Sequence, residues 1–122
     1  MSVKAEYDIE FVEGEASGDA DPYLITLKNK DGTPANISWA EEIELIISTK
    51  ELEQKFVATL SDGDISVMGN VIVWPMKEEQ TSGYNGEHIA QVICSTTDAL
   101  RIRKTYLMSV MVYPRTDEAP AP

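Results

Sequence analysis

The 122-residue sequence predicts an all-β fold, an immunoglobulin-like antiparallel β-sandwich of about seven to eight strands. Three observations carry that expectation. Short segments alternate apolar and polar residues with a period of two. Gly, Pro and Asp-Gly turn signals separate those segments at regular spacing. No stretch shows the three-to-four-residue apolar repeat of an amphipathic helix. The clearest β pattern runs from Ile72 to Val112. Residues 1–113 read as a single domain and residues 114–122 as a Pro-rich, extended or disordered tail that cannot continue a sheet.

The first element is a half-buried strand over residues 3–11. Val3, Ala5, Tyr7, Ile9 and Phe11 share one face and Lys4, Glu6, Asp8 and Glu10 the other. Residues 13–21 mix turn formers with carboxylates and form a loop. Their spacing does not follow the ligand positions of an EF-hand calcium loop. A second strand, Tyr23 to Leu27, ends at Asn29–Pro34, where Asp31-Gly32 supplies a positive-φ turn and Pro34 fixes the exit. Ile37 and Trp39 dock at the edge of the core. Glu41 to Ile47 is a third strand, with Ile43, Leu45 and Ile47 alternating against Glu42, Glu44 and Ile46.

Ser48 to Lys55 is polar and too short for an independent helix, so it is a connection. Phe56, Ala58 and Leu60 alternate as a fourth strand, Ser61–Asp64 is a tight turn, and Ile65 to Met68 is a short fifth strand. After Gly69-Asn70 comes Ile72 to Met76, then a polar crossover to Gly86. His88 to Cys94 and Ile102 to Val112 follow as a hairpin around a turn at Thr96–Ala99. Ile72, Trp74, Met76, Ala90, Val92, Met108 and Val110 are the expected core.

Composition bounds the function. The chain is 43% hydrophobic and 25% charged, ordinary for a globular domain, but its net charge is −11. That excess opposes nucleic-acid binding, which depends on Lys and Arg neutralising phosphates, and opposes anionic membrane surfaces for the same reason. No apolar run has signal-peptide character at the amino terminus or the roughly 18 residues of a membrane span. Cys94 is the single cysteine, so no intrachain disulfide can form. Synthesis in a reducing cytoplasm is expected.

Catalytic chemistry is hard to assemble from these residues. One histidine and one cysteine cannot supply the usual zinc ligand sets. His88, between Glu87 and Ile89 in a strand, is a packed or rim residue rather than a triad base. Gly83-Tyr-Asn-Gly86 lacks the Lys and following helix of a phosphate loop. Glu41/Glu42 and Glu78/Glu79 are sequence neighbours that point to opposite faces of extended chain. The expectation is a protein that is not an enzyme, with no catalytic, metal or cofactor-binding residues. The alternative to an assembly role is a carbohydrate- or cell-surface-binding sandwich using exposed aromatics among Trp39, Trp74, Tyr84, Tyr106 and Tyr113. Trp74 shares a face with Ile72 and Met76 and is better read as core.

The sharper signal is that the last strands are apolar on both faces, whereas a sandwich strand needs only one. If they pair, Ile89, Ile93, Leu107 and Met111 collect on one outer face, joined by Ile46 if the third strand is the next neighbour. These five form a candidate protein–protein interface, because contiguous exposed apolar patches mark partner surfaces.

Residues 22–113 also resemble the amino-terminal domain of phage baseplate upper proteins and related virion sandwiches. The shared pattern begins with a strand ending in Lys30-Asp-Gly-Thr-Pro34, then Ile37 and the strand Ile43 to Ile47. It continues with a Gly-led strand, Asn70 to Met76, the acidic stretch Glu78-Glu-Gln-Thr81, an aromatic-bearing strand opened by Gly86, and a closing basic hairpin strand. The resemblance implies a virion structural protein made in the bacterial cytoplasm, in a tail, baseplate, neck or capsid decoration. Its partners would be other virion proteins and further copies of itself, with no nucleic acid and no membrane.

Overall fold

The computed structural model describes residues 7–97 and 102–115. Within them alternation becomes eight strands: β1 (Ile9–Val12), β2 (Tyr23–Thr26), β3 (Glu42–Ser48), β4 (Gln54–Thr59), β5 (Ser66–Met68), β6 (Val71–Trp74), β7 (Gly86–Ser95) and β8 (Arg103–Tyr113). One helical turn, α1 (Glu78–Thr81), lies between β6 and β7. A five-stranded sheet runs β1-β8-β7-β3-β4 and a three-stranded sheet runs β2-β6-β5. The last two strands share a sheet with the third, and β2, β6 and β5 form the opposite sheet. This is the immunoglobulin-like all-β sandwich expected from the sequence.

One pairing is not antiparallel. β1 runs parallel to β8, with Ile9 opposite Val110 and Val12 opposite Tyr113. Alternation specifies which face a residue takes but not the direction of its neighbour, so this edge is not legible in the pattern. β1 begins at Ile9, so Tyr7 and Asp8 of the expected strand fall outside it. At Asp8 side chains replace the ladder: the Asp8 carboxylate accepts the Ser109 backbone N–H at 3.0 Å, and the Asp8 N–H donates to Ser109 Oγ at 3.1 Å. Residues 3–6 of that expected strand lie outside the described residues, as do residues 98–101 of the hairpin turn and 116–122 of the tail. Strand β3 extends to Ser48 and β4 starts at Gln54, so the polar connection is shorter than the sequence predicts.

The core is built by both inner faces. Ile43, Leu45 and Ile47 of β3, Ala90, Val92 and Cys94 of β7, and Val110 and Val112 of β8 meet Ile25, Ile72 and Trp74 of the smaller sheet, all at most 2% exposed. Each buried aliphatic of this size stabilises the fold by about 1.5–3 kcal/mol over an exposed one. Trp74 joins the layers. Its ring stacks on Phe56 at 5.2 Å, meets Phe11 edge-on at 5.6 Å, and its indole N–H donates to Gln80 Oε1 at 2.9 Å. A buried indole needs that acceptor, because an unpaired N–H would carry a desolvation cost.

The crossover from β6 to β7 is a second anchor. Thr81 is fully buried, and its Oγ donates to the Glu15 carbonyl at 2.8 Å, tying α1 to the loop after β1. Tyr84 follows, 8% exposed, with its hydroxyl donating to the Gln80 carbonyl at 2.7 Å. A tyrosine that bonds back across the corner into the penultimate strand is the tyrosine corner of immunoglobulin-type sandwiches.

Candidate functional site

The register places all five candidate interface residues on the outer face of the five-stranded sheet. Ile46 lies opposite Gln91, and Gln91 opposite Leu107. Ile89 is flanked by Ser48 and Ser109, Ile93 by Glu44 and Thr105, and Met111 by Glu87 and Glu10. No two of the five face each other directly. They are diagonal neighbours, about 7–8 Å apart in sheets of this kind, with a polar residue in every row between them. Gln91 stands at the centre of a diamond made by Ile46, Ile89, Ile93 and Leu107. A mixed surface of this kind suits a non-obligate contact rather than a permanent apolar seam.

Exposure is uneven across the diamond. Leu107 is 69% exposed, Ile46, Ile89 and Met111 are half-buried, and Ile93 is only 5% exposed. Val12 and Tyr113 extend the face at the β1 end. Polar pairs hold its upper edge. The Tyr7 hydroxyl donates to Glu87 at 2.6 Å, and Lys50 forms an ion pair with the same carboxylate. Hydrogen bonds from Lys50 and then Tyr7 hold the Glu87 carboxyl below its ordinary value. Tyr113 donates to Glu10 at 2.6 Å, which raises the phenol.

A second apolar surface lies on the outer face of the three-stranded sheet. Leu24 faces Val73 across β2 and β6, and Val71 faces Met68 across β6 and β5. Leu24 and Met68 are 55% and 66% exposed. Here apolar residues are direct rather than diagonal neighbours, so this patch is the more continuous of the two. The signal was present in the sequence as Val71 and Val73 alternating with Ile72 and Trp74. It becomes a patch only once β2 and β5 are known to flank β6.

The remaining candidates take structural places. His88 is 6% exposed, with Nδ1 3.1 Å from the Gly86 carbonyl and its ring 5.1 Å from that of Tyr84. Trp74 and Tyr84, candidates for a sugar platform, lie in the core, and Trp39 is half-buried with its indole N–H donated to the Asn36 carbonyl at 2.8 Å. The loop carboxylates after β1 accept from nearby amides: Glu13 from the Gly83 N–H and the Asn85 side-chain amide, and Glu15 from the Val12 N–H. Among the described residues no helix is long and apolar enough to cross a membrane.

Comparison with protein-family models, with curated proteins and with solved structures returns no match.

Proposed function

We propose that the chain is a non-enzymatic structural protein that acts through protein–protein contacts, as an assembly component of a bacteriophage particle. The observation that carries the assembly role is that both outer sheet faces expose large apolar side chains, Leu107 on one and Leu24 and Met68 on the other. A sandwich needs only its inner faces apolar, and exposed aliphatics gathered on a sheet face fit a partner. The particle assignment rests on the resemblance of residues 22–113 to the baseplate sandwich. Its place there is tail, baseplate, neck or head decoration, beside other virion proteins and further copies of itself.

Light scattering of the chain alone and with candidate virion proteins tests the contact. Leu107→Glu and Met111→Glu are expected to weaken association through the larger sheet, and Leu24→Glu through the smaller one. Leu107 and Leu24 are the cleaner probes, because a charge at the buried Ile93 would damage the fold itself. A strict monomer that binds none of these proteins, unchanged by all three variants, sinks the proposal. Mass spectrometry of purified particles tests the location, and absence of the chain from them removes the virion assignment.

A further inference from the structure

The two sheets part along one side of the sandwich. β1 covers β8 only from Val110 to Tyr113, so among the described residues the earlier half of β8 has a neighbour on one side alone. Opposite it runs β2 and the turn that follows. The opening between them is a groove of about 1010 Å³, walled by residues 24–31 on one side and 104–108 on the other.

Three features of this groove lack partners. The first is the strand edge. Ser109 directs its N–H, and Tyr113 its carbonyl, away from β7 and toward the β1 side. By the two-residue repeat of a strand, the N–H and C=O groups of Thr105 and Leu107 point the same way, and no described residue pairs with them. The second is charge. Lys28, Lys30 and Lys104 line the groove, and among the described residues none forms an ion pair with a carboxylate. Two carboxylates also line the groove, Asp31 bonded to Thr33 and Asp8 to Ser109, and the three lysines outnumber them. The third is Tyr106, whose ring lies 5.1 Å from the Lys104 ammonium and whose hydroxyl is buried without a hydrogen-bond partner.

We propose that this groove binds an extended acidic segment of another protein chain, which adds as a strand to the Thr105–Leu107 edge of β8. An open strand edge is complementary to peptide backbone, and unpaired ammoniums in a protein of net charge −11 select carboxylates on the incoming strand. The groove borders both outer faces, at Leu24 and Leu107, but its open edge is backbone and stands whether or not those faces carry contacts.

Edge lysines also serve simply to block unwanted pairing, and the experiment separates that role from binding. The full chain is titrated with an amidated heptapeptide alternating Glu and Val, with its Lys–Val counterpart, and with a single-stranded oligothymidylate, followed by fluorescence anisotropy and amide hydrogen exchange. The acidic peptide is expected to bind saturably and to slow exchange at the Thr105 and Leu107 amides. The Lys28→Glu/Lys104→Glu chain is expected to bind about tenfold or more weakly, the loss expected for one charge-assisted hydrogen bond. Thr105→Pro removes an outward donor and leaves the β7 side intact, as edge strands tolerate, and is expected to abolish the exchange protection. No saturable binding, equal binding of the basic peptide, or affinity unchanged in both variants overturns the proposal. So does tighter binding of the oligonucleotide, protection of those two amides in the free chain, or a dimer by light scattering that Thr105→Pro dissociates.

Discussion

Trp74 ties the two sheets together, because it touches aromatic rings from strands β1, β2 and β4 at once. Trp74→Ala is expected to cost about 3–5 kcal/mol, read as a lower midpoint in urea unfolding followed by circular dichroism. Tyr84→Phe tests the corner bond to Gln80 alone and is expected to cost about 0.5–1.5 kcal/mol with the fold retained. Cys94 offers a chemical readout. Burial pushes its thiol up to about 11, so little thiolate exists at pH 8 and the sulfur is covered as well. Modification by a thiol-specific disulfide reagent at pH 8 is expected to be slow in the native chain and complete within minutes in denaturant. Fast native labelling would mean that the β7 core opens readily.

At the scale of elements, the hairpin of β7 and β8 was legible in the sequence because two long β runs flank the turn at Thr96–Ala99, whereas β3 entered as the next neighbour only through immunoglobulin topology. The five outward residues were legible because these strands are apolar on both faces. Their separation by Gln91, Ser109 and Glu44 was not, because it depends on register, which alternation leaves free by any even shift. Tyr84 was misread as a surface aromatic because a corner tyrosine is identified by the carbonyl it reaches, four residues back. The second patch was missed for want of β6's neighbours. The polar edge supports a pH experiment. Glu87 titrates below its ordinary value because Lys50 and Tyr7 bind its charged form. A depressed carboxylate contributes stability that is present above its unfolded value and is lost as pH falls through the folded one. Lys50→Met is expected to raise the Glu87 pKa, measured by carboxyl NMR titration, and to flatten the acid side of the stability profile. An unmoved Glu87 would show that the pair does not persist in solution.

At the scale of the molecule, the parallel contact between the first and last strands closes the sandwich across a sequence separation of 101 residues, the span between Asp8 and Ser109. Contacts of that range are entropically late, and β-sandwiches fold slowly for this reason. Phe11→Ala is expected to speed unfolding while leaving the folding rate nearly unchanged, whereas Val92→Ala in the central hairpin is expected to slow folding. Stopped-flow chevrons distinguish the two outcomes, and a slowed folding limb for Phe11→Ala would place β1 in the nucleus. The same pairing has a mechanical meaning. Because β1 and β8 point the same way, the chain enters at one end of their shared ladder and leaves at the other. A pull on the two ends therefore loads all the β1–β8 hydrogen bonds together in shear, rather than peeling them off one at a time. A domain strung between neighbours under tension would resist at this four-residue clamp, and Ile9 and Phe11, packed beneath it, would set the force at which it yields.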